Sequence, residues 1–153
     1  MATFISNSAA ETESFGHQFA GTVKAGDVFA LTGDLGSGKT QFVKGFAAGL
    51  GAVTPATSPT FTLIHEYLDA RFPIYHFDFF RVEDRPAAER LGLDEYFFGD
   101  GVSVIEWADR FIELIPEHAR WISFETKSET QRAITVTRAS TPSSQSGEKP
   151  ELR

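Results

Sequence analysis

Apolar residues follow two different spacings along the first third of the chain. Residues 27–32 carry β-branched and aromatic side chains that suit a buried strand. The segment from about residue 38 to Leu50 has helical spacing and is followed by Gly51, a residue common just beyond a helix C-terminus. The apolar face of this predicted helix consists of Phe42, Val43, Phe46, Ala47 and Leu50. Residues 8–22 carry a weaker helical pattern, so the chain begins with a predicted helix, strand and helix.

The pattern in the rest of the chain predicts further strands. Residues 61–67 and 73–79 are predicted strands, and the five residues between them suit an antiparallel hairpin. A second pair, 120–126 and 131–138, is joined by polar turn residues, and 102–106 has the apolar character of a buried strand. Short helical pieces are expected within 83–98 and 108–115. Alternating helices and strands of this kind predict an α/β fold.

Two segments lack a pattern of either kind. Residues 52–60 contain two prolines and four hydroxyl side chains and are predicted to be a loop. From residue 139 to 153 the chain consists mainly of polar residues that leave little to bury, which predicts a disordered tail. The folded part is therefore predicted to be one domain, residues 1–138, and a chain of 153 residues is long enough to enclose a core of its own.

Composition narrows the class of function. A net charge of −7 argues against a protein that binds nucleic acid directly through its own surface. The absence of cysteine excludes disulfides, zinc–thiolate sites and thiol nucleophiles, and it fits a reducing compartment. The N-terminus lacks the basic start and apolar stretch of a signal peptide, and no run approaches a membrane span. We expect a cytoplasmic protein without a membrane partner.

The candidate chemistry lies between the predicted strand 27–32 and the helix that follows. Residues 33–40 read GDLGSGKT and match the phosphate-binding pattern G-x-x-x-x-G-K-[ST]. Gly36 and Gly38 permit positive φ, so that successive backbone N–H groups can point at phosphate oxygens. Lys39 supplies a positive charge for the β and γ phosphates, and the Thr40 hydroxyl is placed to ligate Mg²⁺. The motif predicts a site for a nucleoside triphosphate with Mg²⁺.

Two carboxylates are candidates for the acidic side of such a site. Asp78 and Glu106 each follow an apolar strand, at the end where ligands bind in open α/β sheets. Either could hold Mg²⁺ or its waters opposite Thr40, and the sequence leaves both open.

Other polar and aromatic side chains lie near these motifs in the sequence. Arg81 is either an arginine that neutralises phosphate charge or the partner of a surface acid. Thr60 is either a switch residue that responds to the γ-phosphate or part of a turn. The histidines at 65 and 76 lack metal spacing and are interpreted as packing or hydrogen-bonding groups. Trp107 is expected to lie near the nucleotide.

The base is indicated by an absence. GTP-specific P-loop proteins resemble one another in an Asn-Lys-x-Asp sequence, whereas the single asparagine here is Asn7, ahead of the loop. ATP is therefore the expected nucleotide.

Several segments, taken together and in order, resemble the bacterial TsaE family, formerly YjeE. They are GDLGSGKT at 33–40, SPTFTLIHEY at 58–67, YHFDFFR at 75–81, LGLDEYF at 91–97 and VIEWADR at 104–110. The resemblance covers about residues 5–138. It implies a single P-loop NTPase-type domain with a mixed central β-sheet flanked by helices. One departure is that the family's Asp-x-Tyr-Arg is Asp78-Phe79-Phe80-Arg81 here, so a role of that tyrosine hydroxyl cannot be carried over.

The resemblance also implies roles for particular residues. Lys39, Asp78 and Glu106 would take part in catalysis, and Thr40, Asp78 and Glu106 would hold the metal. The residues expected to contact the nucleotide are Gly33, Asp34, Leu35, Gly36, Ser37, Gly38, Lys39, Thr40, Gln41, Thr60 and Trp107.

The activity implied by the resemblance is that of a regulatory ATPase. TsaE proteins are needed to form N6-threonylcarbamoyladenosine at position 37 of ANN-decoding tRNAs. The family is expected to bind a TsaB–TsaD complex and reset it by nucleotide hydrolysis, meeting tRNA only through these partners. Hydrolysis by the isolated chain is expected to be slow. The alternatives are a small-molecule kinase with a lid formed by Arg81, Arg85 and Arg90, or a nucleotide-gated binding module without hydrolysis.

Overall fold

The computed structural model describes residues 2–53 and 64–137, which form a seven-stranded sheet between two layers of helices and turns. The strands are β1 (Ala2–Ser6), β2 (Val28–Gly33), β3 (Ile64–Tyr67), β4 (Ile74–Asp78), β5 (Val102–Glu106), β6 (Arg120–Thr126) and β7 (Arg132–Val136). The helices are α1 (Ala9–Phe19), α2 (Lys39–Gly49), α3 (Arg85–Glu89) and α4 (Leu93–Phe97). Short 3-10 segments occupy Ala20–Thr22, Phe79–Arg81 and Ala108–Leu114. No helix in these ranges has the length and apolar character needed to cross a bilayer.

The strand order is β1-β7-β6-β2-β5-β4-β3. The four central strands β6, β2, β5 and β4 are parallel, whereas β1, β7 and β3 pair antiparallel at the two sides. The predicted mixed sheet is therefore confirmed. Because the central strands are parallel, their carboxyl ends share one edge of the sheet, and this edge carries the loop after β2 and the turns after β4 and β5.

The core lies on both faces of the sheet. Helices α1 and α2 cover one face, where Phe19, Phe29, Phe42 and Phe46 pack against one another with ring centroids 5.3–6.2 Å apart. All five apolar residues predicted for α2 are buried, which confirms that helix and its face. The opposite face buries a second cluster that includes Phe77, Phe79, Phe97, Phe111 and Trp121.

Three elements differ from the prediction. Strand β1 was missed because it is a short edge strand with mostly exposed residues, so its apolar pattern is weak. The first helix ends at Phe19 instead of Thr22, and the chain continues as a 3-10 turn. The helix predicted at 108–115 is a 3-10 segment interrupted at Phe111, whose ring packs 5.6 Å from that of Phe79.

Other predictions fall outside the described residues. These are most of the loop at 52–60, the first three residues of the strand at 61–67, and the tail at 139–153. The domain boundary at 138 stays a prediction.

The close approach of α1 and α2 gives a prediction about stability. A Cβ added at Gly45 would lie 1.8 Å from the carbonyl oxygen of Glu13 in α1. Gly45→Ala should therefore separate the helices and cost about 1–3 kcal/mol, although alanine is the better helix former. Urea denaturation measures this loss. Gly21→Ala is the matched control because its added methyl meets nothing within 4 Å, and equal midpoints for the two variants would contradict the packing argument.

Candidate nucleotide-binding site

The loop between β2 and α2 has the backbone that its glycines predict. Gly33, Gly36 and Gly38 have φ values of 146°, 77° and 107°. Gly38 is the N-cap of α2, and its left-handed conformation turns the chain directly into the helix at Lys39. The first amides of a helix have no partner within it, so the start of α2 offers hydrogen-bond donors and a partial positive charge to an anion.

Lys39 lies under this loop and is 4% exposed. Its Nζ donates to the carbonyl oxygens of Gly33 at 2.6 Å and Asp34 at 3.0 Å, and to Ser37 Oγ at 3.4 Å. Burial lowers the pKa of Lys39, and nearby acids, Glu106 first among them, oppose this change. The ammonium group is thus held beneath the loop by backbone oxygens, at the position where the motif requires a positive charge.

The two candidate carboxylates lie side by side. Asp78 ends β4, Glu106 ends β5, and their Cα atoms are register partners. Glu106 also pairs with Leu31 of β2, so it stands on the strand next to the phosphate-binding loop, whereas Asp78 is one strand further away. Both side chains are buried.

This donor set suits a hard cation. Among the described residues there is no group of three or more His, Cys, Asp or Glu side chains arranged to hold a metal. Mg²⁺ is commonly bound by one or two carboxylates together with substrate phosphates and water. Two adjacent carboxylates, with the hydroxyl of Thr40 at the start of α2, therefore fit Mg²⁺ better than a metal that needs a complete protein cage.

Asp78 is held by its own turn. Its Oδ1 accepts a hydrogen bond from the Phe80 amide at 3.0 Å, and its Oδ2 lies 3.7 Å from Arg81 Nε. Burial raises the pKa of Asp78, Glu106 adds to this effect, and the Phe80 amide and Arg81 oppose it. Arg81 therefore pairs with a buried candidate site carboxylate and not with a surface acid, and its role toward phosphate stays a prediction.

Trp107 lies over the loop lysine. Its ring centroid is 4.3 Å from Lys39 Nζ, a cation–π distance, and 4.9 Å from that of Phe80. Trp107 has φ 60° and ψ 38°, an uncommon conformation for a residue with a bulky side chain. The turn after β5 thus sends Glu106 and Trp107 toward the same loop. Phe80 is 58% exposed and supplies the outer ring of this pair.

Two further side chains organise the ends of β4 and β5. The sequence predicted a packing or hydrogen-bonding role for His76 without its partner, and it indicated no role for Arg110. His76 Nε2 lies 2.7 Å from Glu106 Oε2, which agrees with a hydrogen-bonding role but adds a partner that strand spacing alone did not reveal. The Arg110 guanidinium donates to the carbonyl oxygens of Phe79 (2.9 Å), Val82 and Glu83 (3.1 Å). Arg110 therefore ties the turn after β4 to the turn after β5, and its place within VIEWADR was the available signal.

A cleft of about 350 Å³ opens beside the loop, near the lower end of the about 300–1,000 Å³ typical of small-molecule sites. It is lined by Gly36, Gly38 and Gln41, three of the residues predicted to contact a nucleotide, and by residues that the sequence did not indicate, among them Asn7, Ser8, Glu129, Thr130 and Arg132. Arg132 Nη2 donates to the carbonyl oxygen of Gly36 at 3.2 Å, and Gln131 Nε2 donates to Asn7 Oδ1 at 3.0 Å. These turns are distant in the sequence and meet only in the folded chain.

Three other residues are predicted to contact the nucleotide. Asp34 and Leu35 are exposed on the loop, and Thr60 lies outside the described residues.

The parallel central strands and the glycine-rich loop leading into α2 define an α/β domain of the P-loop NTPase type. The crystal structure of YdiB from Bacillus subtilis superposes with a TM-score of 0.76 at 39% identity, covering 91% of this chain and 86% of that chain. Residues 6–134 match the family described as "Threonylcarbamoyl adenosine biosynthesis protein TsaE". The chain therefore belongs to the TsaE family.

Two relatives give the extent of the similarity. The tRNA threonylcarbamoyladenosine biosynthesis protein TsaE of Bacillus subtilis is 47% identical over 127 residues, which are 83% of this chain and 79% of that protein. The TsaE of Treponema pallidum is 39% identical over 132 residues, 86% of this chain and 97% of that protein. The similarity thus extends over most of each protein.

Proposed function

We propose that this chain is a Mg²⁺-dependent ATPase that takes part in forming threonylcarbamoyladenosine in tRNA. The proposal rests on one observation: the buried Glu106 stands on the strand next to the phosphate-binding loop, in register with Asp78, and is the acid that acts most strongly on Lys39. The process follows from the relatives, which are named as tRNA threonylcarbamoyladenosine biosynthesis proteins.

Binding of ATP is assigned to the loop. The amides at the start of α2 and the ammonium of Lys39 would receive the β and γ phosphates, and the base and ribose would enter the neighbouring cleft. Lys39 already donates to three oxygens, so a phosphate must replace part of this set. This exchange favours a ligand with several negative oxygens over a neutral one.

Hydrolysis is assigned to the carboxylates. Thr40, Glu106 and Asp78 would hold Mg²⁺, which neutralises charge between phosphate oxygens when it is bound. Glu106 would orient the attacking water and accept its proton through a hydrogen bond. The ring of Trp107 lies 4.3 Å from Lys39 Nζ, where it would limit the access of water to the ammonium group.

The role in tRNA modification is proposed to be regulatory. Binding and hydrolysis of ATP would reset a TsaB–TsaD complex between turnovers, and tRNA would be met only through these partners. The net charge of −7 supports this assignment of tRNA binding to the partners, because direct tRNA binding would need a basic surface.

The kinase alternative requires a lid of free arginines. Arg85, one of the arginines considered for that lid, pairs with Glu89 at 3.1 Å and Glu113 at 2.8 Å. These partners argue against a free lid arginine.

Product analysis tests the proposal. With ATP, Mg²⁺, purified TsaB–TsaD and tRNA, we expect ADP and phosphate in equal amounts, and much slower release from the chain alone. Turnover of the isolated chain at about 1–100 s⁻¹, the range of kinases, contradicts a partner-dependent ATPase. A phosphorylated acceptor would show a kinase instead, and tight ATP binding without phosphate release in the full mixture would show a binding module.

A further inference from the structure

A line of hydrogen-bonding side chains runs from Glu106 on β5, across β4, to the edge strand β3. His76 Nε2 lies 2.7 Å from Glu106 Oε2, His76 Nδ1 lies 3.5 Å from the Tyr67 hydroxyl, and that hydroxyl lies 3.3 Å from His65 Nδ1. The inner members of this line are enclosed: His76 is 0% exposed, Glu106 3% and Tyr67 5%. Buried polar side chains are costly unless they are paired, so each contact constrains its neighbours.

Strand register explains why these groups meet. His76 is the register partner of Val104, two residues before Glu106 on β5, and alternate residues of a strand share a face. His76 therefore lies on the same face as Glu106, one row further from the carboxyl edge. The His76 ring therefore contacts the Glu106 carboxylate from the interior of the sheet and not from its carboxyl edge.

The contacts of His76 favour one position for its proton. An ionised carboxylate only accepts hydrogen bonds, so His76 donates through Nε2–H. In neutral His76 the other nitrogen, Nδ1, is then an acceptor, and the Tyr67 hydroxyl must be its donor. The Nε2–H tautomer of His76 is therefore the neutral form that suits both of its contacts, with Glu106 and with Tyr67.

We propose that His76 is a positioning residue, which holds Glu106 by Oε2 and leaves Oε1 to face the nucleotide site, and that Tyr67 fixes the tautomer His76 needs. This inference rests on the proposed function, in which Glu106 serves hydrolysis and Mg²⁺. A glutamate has three rotatable side-chain bonds, and a buried donor that selects one rotamer removes the cost of ordering it at each turnover. Hydrogen-bonding partners of metal-binding side chains commonly change metal affinity or activity about 10–100-fold when they are replaced.

Variants at position 76 test the positioning role. His76→Leu removes the donor, whereas His76→Gln retains an N–H near the place of Nε2. We expect His76→Leu to weaken Mn²⁺ binding about 10–100-fold, measured by electron paramagnetic resonance with a non-hydrolysable ATP analogue, and to slow phosphate release similarly. Affinity for the analogue in EDTA should remain unchanged. His76→Gln should restore most of both losses. His118→Leu is the control, because His118 contacts the Gly26 carbonyl and lies away from this line.

The outcomes separate positioning from general structural damage. Equal losses in His76→Leu and His76→Gln, or weaker analogue binding in EDTA, would overturn the proposal. If His76→Leu does not fold, nitrogen-15 NMR of the native chain decides. A neutral His76 protonated at Nε2 supports the line of contacts, and protonation at Nδ1 overturns it. This result and the Mn²⁺ affinities do not depend on hydrolysis, so a native chain that releases no phosphate would defeat the proposed function without deciding the role of His76.

Discussion

Replacing Glu106 by glutamine should slow ATP hydrolysis about 10²–10⁴-fold, the range expected when a general base is lost. Glutamine keeps the size of the side chain and can still accept a hydrogen bond from His76, whose Nε2 lies 2.7 Å from Oε2 in the native chain. The variant loses the negative charge and the ability to take a proton. Phosphate release in the presence of the partner proteins measures the effect.

The expected effect of Glu106→Gln is specific to hydrolysis and does not extend to the binding of ATP. ATP affinity in EDTA should be nearly unchanged, because Glu106 is assigned to water and Mg²⁺ and not to the nucleotide itself. Glu125→Gln is the matched control, since this side chain on β6 is 66% exposed and should leave hydrolysis unaffected. If Glu106→Gln hydrolyses ATP normally, the assignment is wrong. Asp78→Asn is then the variant to examine, because Asp78 is the neighbouring buried carboxylate.

The sequence predicted the parts of this site that are local in the chain. The loop at 33–40, α2 and the strands that carry Asp78 and Glu106 follow from motif, periodicity and turn chemistry within short segments. The resemblance to the TsaE family named the same residues, and membership of that family is now established. The mixed sheet was predicted as well, although the edge strand β1 was not.

Strand order is what the sequence could not provide. Asp78 and Glu106 were equivalent candidates along the chain, because each simply follows an apolar strand. In the sheet they differ, since β5 lies beside β2 and β4 lies one strand further away. The contact between His76 and Glu106 likewise spans 30 residues and depends on the register of β4 against β5. Pairings of this kind are long-range and leave no periodic signal.

The residues that line the cleft could not be predicted from the sequence for the same reason. It is assembled from the turn after β1, the phosphate-binding loop and the turn between β6 and β7, which are distant in the chain. Arg132 reaches the Gly36 carbonyl across 96 residues. Without β1, which the apolar pattern did not predict, Asn7 and Ser8 could not have been placed next to the loop.

Lys39→Met should weaken ATP binding about 10–100-fold while leaving the chain folded. Methionine retains much of the length of the side chain but removes the ammonium, and hydrogen bonds to charged groups contribute about 1.5–3 kcal/mol each. Lys39 is 4% exposed, and its burial lowers the pKa of its side chain, so a charged Lys39 carries a cost in solvation. A buried charge retained at such a cost is expected where a ligand requires it.

Calorimetry with ATP and with AMP measures the effect on binding. The loss should be larger for ATP, because Lys39 is assigned to the β and γ phosphates, which AMP lacks. Lys44→Met is the matched control, since Lys44 is a half-buried lysine on the same helix α2. Thermal unfolding of both variants shows whether each chain remains folded. Equal losses for ATP and AMP would mean that Lys39 supports the shape of the loop through Gly33, Asp34 and Ser37 instead of binding the terminal phosphates.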